Sequence, residues 1–111
     1  MSEGWKIWKF PLPVDTDRFE IAMPAAVHLS LQVQNDVPCL WAAVMPGTAE
    51  AGDRQPRQFL WVRTGQRIPD DVGAFQQSFV GTVQLHGGAL VLHLFWLIPG
   101  IASPDRFMGR S

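Results

Sequence analysis

Residues 26–45 read AVHLSLQVQNDVPCLWAAVM, and the alternation within them decides the fold. Val27, Leu29, Leu31 and Val33 interleave with His28, Ser30, Gln32 and Gln34. A sustained period of two is the mark of a half-buried strand. Asn35-Asp36 follows, and both residue types tolerate the left-handed backbone of a two-residue hairpin turn. With that turn, Gln34 stands opposite Val37. Leu31 then meets Leu40, Leu29 meets Ala42 and Val27 meets Val44, an apolar face throughout. The other face pairs Gln32 with Cys39, Ser30 with Trp41 and His28 with Ala43. A slip by one residue would exchange the faces. Pro38 has no ladder donor. It is expected at the strand's start or with its nitrogen turned away from a partner.

Working outward, Trp5–Phe10, Arg18–Met23 and Arg57–Thr64 read as further strands. A last hairpin is expected from Ser78–His86 and Ala89–Trp96 about Gly87-Gly88. Its register pairs Leu85 with Leu90, Val83 with Leu92 and Gly81 with Leu94. On its other face His86 meets Ala89, Gln84 meets Val91 and Thr82 meets His93. Pro46–Pro56 reads as an exposed loop, and Gly65–Ala74 as an irregular connection with one helical turn after Pro69. The sum is an all-β chain: a small antiparallel barrel or two-sheet sandwich of about seven strands, with little or no helix. The faces of Leu29/Leu31 and Val83/Leu92 are expected to meet in its core. Residues 1–98 form the single domain, and 99–111 are a tail that is loose or docked on a partner.

Composition bounds the function. The chain has 111 residues, of which 47% are hydrophobic and 17% charged, enough for one core without staples. One cysteine, Cys39, precludes an internal disulfide framework and suits a reducing compartment, so a cytoplasmic location is expected. A net charge of −1 argues against general nucleic-acid binding. The opening MSEGWKIWKF lacks a secretory pattern. The charge-free stretch between Asp71 and Asp105 is interrupted by Gln, His and Gly, so no membrane-spanning helix is expected.

Several motifs recur in order: Lys6-Ile7-Trp8-Lys9-Phe10-Pro11-Leu12, Met23-Pro24, Leu31-Gln32-Val33-Gln34, Val37-Pro38-Cys39-Leu40-Trp41-Ala42, Thr64-Gly65, Val80-Gly81-Thr82-Val83-Gln84-Leu85 and His93-Leu94-Phe95. On these the chain resembles a family of short, largely uncharacterised proteins encoded by bacteriophages and some bacteria. The likeness spans residues 6–95. Departures are Phe10 for a tyrosine, Val80 for an aromatic, and the extension after Phe95. The resemblance implies a small β domain and a phage setting, hence the host cytoplasm. It assigns no activity and no residue role.

Candidate chemistry falls into three groups. His28, His86, His93 and Cys39 are the residues a small metal-dependent or nucleotide-processing enzyme would use. Zinc needs three or four such ligands, and no two of these show ligand-type spacing. Hydrogen-bonded histidines and a structural thiol are therefore expected, with no metal or cofactor and no catalytic set. Asp70-Asp71 reads as a hydrated loop rather than an acid pair.

Arg54, Arg57, Arg63 and Arg67 gather around Trp61, and such a cluster can hold a phosphate or nucleotide. Gln32, Gln34, Gln84 and His93 complete the candidate ligand-binding set. Finally, five tryptophans are many for so short a chain. Val80, Val91, Phe95 and Trp96 are expected to form an exposed apolar patch covered by a second copy or a partner protein. The expected function is a non-enzymatic binding module, homo-oligomeric, acting by sequestration as an accessory or counter-defence protein. The alternatives are the enzyme above and a virion-associated structural protein.

Overall fold

The computed structural model describes residues 4–45 and 54–98. The expected loop tip at 46–53 and the tail at 99–111 lie outside them. Seven strands form two antiparallel sheets: β1 (Lys6–Pro11), β2 (Arg18–Met23), β3 (Ala26–Gln34), β4 (Val37–Val44), β5 (Gln55–Arg63), β6 (Phe79–Leu85) and β7 (Leu90–Leu97). The first sheet has the order β1-β4-β3, the second β2-β5-β7-β6. One helical turn, α1 (Phe75–Ser78), precedes β6.

The first hairpin turns where its sequence demands. Asn35 and Asp36 have φ of 53° and 62°, the paired left-handed conformation that matches strand twist. Gln34 opposes Val37, Gln32 Cys39, Leu31 Leu40 and Ser30 Trp41. Pro38 is the second residue of β4, and its carbonyl accepts from Leu12 N at 2.9 Å. Then the ladder slips. Leu29 has no opposite number, and His28 pairs with Ala42, Val27 with Ala43 and Ala26 with Val44. Leu29 is a β-bulge, one extra residue that reverses the facing of everything before it. The expected pairs Leu29–Ala42, Val27–Val44 and His28–Ala43 are therefore wrong. Leu29 and Val27 are 52% and 55% exposed, and His28 turns inward.

The second hairpin keeps its expected pairs from Leu85–Leu90 to Gly81–Leu94, but its turn is longer. His86 leaves the ladder with φ of 54°. Its backbone N donates to Asp36 Oδ1 at 2.8 Å, and its Nδ1 lies 2.7 Å from Asp36 Oδ2. One carboxylate thus ties the two hairpin tips, and these bonds hold the Asp36 carboxyl below its usual range. Val80 is a second bulge, since Phe79 pairs with Phe95 where Gly81 pairs with Leu94.

The sheets meet over Leu40, Met23, Phe59, Trp61, Val83, Leu85, Leu92 and Leu94, with Leu31 packed against them. Leu31 thus meets the Val83/Leu92 face as expected, and Leu29 does not. Gly81 allows the close approach, because a Cβ there would lie 3.2 Å from Leu31 Cβ. A second cluster, Leu60, Val62, Val72 and Phe95, fills the outer face of the four-stranded sheet. The connection after β5 supplies Val72 and Ile68 as its cover, so β5 is buried on both faces from Phe59 to Val62.

The bulge is open to a direct test. Deleting Leu29 removes only the unpaired residue and leaves every other pair of the hairpin in place. The shortened chain is expected to unfold cooperatively and to keep cross-strand NOEs between His28 and Ala42. Loss of those NOEs would show that Leu29 is not the spare residue.

Candidate functional site

The two bulges lie on facing edge strands. β3 and β6 touch at Leu31 and Gly81, and toward the bulges they frame a cleft of about 410 Å3. Its lining is Ala26, Val27, His28, Leu29 and Ser30 from β3, Arg57 from β5, Gln77 from α1, Phe79 and Val80 from β6, and Trp96 from β7. Bulges bend and re-aim strands, which accounts for two packed edges separating here.

Arg57 is the centre of the site. Its Nη2 donates to the Ala26 carbonyl at 3.0 Å, and its Nη1 lies 3.0 Å from His28 Nε2. The guanidinium carbon sits 4.7 Å from the Trp96 ring centroid. No carboxylate pairs with Arg57 among the described residues, and partial burial lowers its pKa. A guanidinium only donates, so His28 Nε2 must accept and the ring proton belongs on Nδ1. Burial first, then the Arg57 charge, depress the His28 pKa to about 4. The imidazole also packs edge-on to Trp96 at 4.9 Å and against Phe59 at 5.7 Å. Trp96 Nε1 is buried with no hydrogen-bond partner among the described residues.

Most sequence-predicted site residues lie elsewhere. Trp61 is not a ligand platform: it is 2% exposed, and its Nε1 donates to the Pro13 carbonyl at 2.7 Å. The four arginines do not cluster around it. Arg54 donates to the Ala22 carbonyl and lies over Trp8, Arg67 pairs with Asp70, and Arg63 is exposed at the end of β5. Asp71 takes a bidentate pair from Arg18 at 2.8 and 2.9 Å, so Asp70 and Asp71 serve different arginines. Gln32 and Gln34 stand on the outer face of the three-stranded sheet, bonded to Ser30 and Lys9. Gln84 and His93 occupy the outer face of the other sheet, where Thr64 and Thr82 hydroxyls bond both His93 nitrogens at 2.8 Å. These four residues therefore share no cleft.

His28, His86, His93 and Cys39 are not brought together. No group of three His, Cys, Asp or Glu side chains able to hold a metal occurs among the described residues. The Cys39 thiol is buried, 3.6 Å from the Val37 carbonyl. The expected exposed patch is also corrected. Phe95 is 6% exposed because Phe75, Phe79 and Val72 cover it, and Trp96 lies half-buried beneath Arg57. Val80 packs on the core, and Val91 is half-buried.

A family model described as a domain of unknown function, DUF7352, matches residues 4–102. The chain belongs to that family. No curated protein and no solved structure matches it. No helix of the described residues is long and apolar enough to cross a membrane.

The His28 environment predicts a pH dependence. With a folded pKa near 4 against an ordinary value of 6.5, the unfolded chain takes up the proton first. The stabilising contribution is complete above pH 6.5 and is lost as pH falls toward 4. Urea midpoints for the wild type are expected to drop through that window. The His28→Gln variant keeps an acceptor for Arg57 and should lose that part of the slope. An equal slope in both proteins would refute the assignment.

Proposed function

We propose that the chain is a non-enzymatic binding module that holds a small anionic ligand in the cleft between β3 and β6. The carrying observation is Arg57, a partly desolvated guanidinium without a carboxylate partner among the described residues, set over Trp96 at the cleft wall. Its two protein contacts use two of five N–H donors. Arg recognises carboxylates and phosphates through paired, charge-assisted hydrogen bonds. The volume lies at the small end of the roughly 300–1,000 Å3 typical of ligand sites.

The lining supports binding rather than turnover. Among its described residues there is no carboxylate, and the one imidazole is held by Arg57 at Nε2. Holding a ligand without transforming it amounts to sequestration. With the resemblance to phage-encoded proteins, the reading becomes an accessory or counter-defence role in the host cytoplasm.

The test is a thermal-shift panel of inorganic phosphate, AMP and octanoate on wild type and Arg57→Gln. At least one anion should raise the wild-type melting temperature and leave the variant's unchanged. No shift with any of them, or equal shifts in both proteins, would remove the reading.

A second reading, self-association, has its own observation. On the outer face of the three-stranded sheet, Ala43 lies between Ile7 and Val27. Ile7 is 65% exposed and Val27 55%. We propose that a homo-oligomer would form through this row and not through the final hairpin. Sedimentation should then give a multimer for the wild type and a monomer for Ile7→Glu. A wild-type monomer at high concentration sinks the idea.

A further inference from the structure

The cleft combines one cation with an exposed apolar rim. Leu29 on one side and Phe79 on the other are 52% and 47% exposed. Among the described residues of the lining Arg57 is the only ionised group, since His28 stays neutral above about pH 4. A nucleoside polyphosphate brings several negative charges. Sites for it supply several cations or a glycine-rich nest of backbone N–H groups. Here the lining strands offer neither, and the nearest glycine, Gly81, is packed against Leu31. Charge balance with one guanidinium asks for one negative charge. The rim asks for apolar atoms beside it, because each half-exposed aliphatic side chain gains by leaving water.

We propose that the cleft takes a monoanionic carboxylate with an apolar body: the carboxylate against Arg57, the body across Leu29 and Phe79. This rests on the binding-module reading and narrows it. Two sources share that chemistry, a free aliphatic acid and a protein chain terminus ending in an apolar residue. The geometry that carries the inference is the pair of bulges. Leu29 and Val80 are each the unpaired residue of their strand. Both line the cleft whose wall holds the cation.

The experiment titrates the full chain and follows tryptophan fluorescence, which Trp96 at the cleft should dominate, together with melting temperature. The probes are octanoate, octanol, AMP and N-acetylphenylalanylleucine. Octanoate or the dipeptide should bind at least about tenfold more tightly than octanol or AMP, a tenfold step being 1.4 kcal/mol. The tighter of the two names the source. Arg57→Gln should abolish the preference for octanoate over octanol. Arg57 also holds Ala26, so that variant could lose its fold. Leu29→Glu covers this case, because it sits on an exposed bulge outside the core. It should keep the wild-type melting temperature and weaken octanoate about tenfold or more.

Octanol matching octanoate would overturn the inference, as would unchanged octanoate affinity in Leu29→Glu. Arg57-dependent binding of AMP with none of octanoate would also overturn it, leaving the anion site standing. Failure of every anion, phosphate included, would take both down.

Discussion

The contact between Arg57 and His28 sets the shape of the polar corner between the two sheets. A guanidinium placed on the inner face of β5 must find acceptors there. The Ala26 carbonyl is one and His28 Nε2 is the other. His28 faces inward only because Leu29 is left out of the ladder. Magnitudes show why the bulge wins. The regular register would bury Val27 and Leu29 and turn His28 to water. Full burial of such side chains is worth roughly 1.5–3 kcal/mol each, and each is already about half buried, so about half of that is forgone. Against it stand two hydrogen bonds from a charged donor, roughly 1.5–3 kcal/mol apiece. The polar side is at least equal, and the aromatic packing of His28 tips it further.

The consequences reach both sheets. Once β3 bends at Leu29 and β6 at Val80, their edges pack at Leu31–Gly81 and separate beyond it. At the other end Asp36 and His86 bind the hairpin tips. The pair of sheets is therefore closed by a carboxylate at its tips and open at the bulges. The opening is lined by Arg57, His28 and apolar side chains, with no carboxylate among the described residues.

Much of the fold was legible in the sequence, since periodicity and turn chemistry are local. Alternation placed Arg18–Met23 as it stands, and Asn35-Asp36 fixed the register of the first hairpin as far as Ser30–Trp41. What defeated the reading was tertiary. Nothing in VHLSL signals a bulge, because the advantage of turning His28 inward belongs to Arg57, on another strand of the other sheet. The arginine–aromatic reading sets Arg57 beside Trp61, whereas the Arg57 guanidinium lies over Trp96. Trp61 and Trp96 both lie on inner-face positions of the second sheet, and only packing decides which is core. Phe95 was misread for a related reason. Its cover comes from the irregular connection after β5, whose side chains have no period to announce their direction. His86 was drawn from its expected pair by Asp36, 50 residues away in sequence.

The exposed aliphatics then acquire a physical meaning. A chain optimising only its own stability could keep the bulge and place a polar residue at position 29. Leu29 instead leaves apolar surface in water beside a cation that lacks a counter-charge among the described residues. Each feature alone is ordinary on a small β protein. Their coincidence on one rim is different, because a single ligand with opposite charge and an apolar body would relieve both. The Ile7–Ala43–Val27 row on the outer sheet face differs from the cleft, because no desolvated charge accompanies its apolar side chains. There a flat partner would suffice, whereas the cleft asks for a ligand with one charged end.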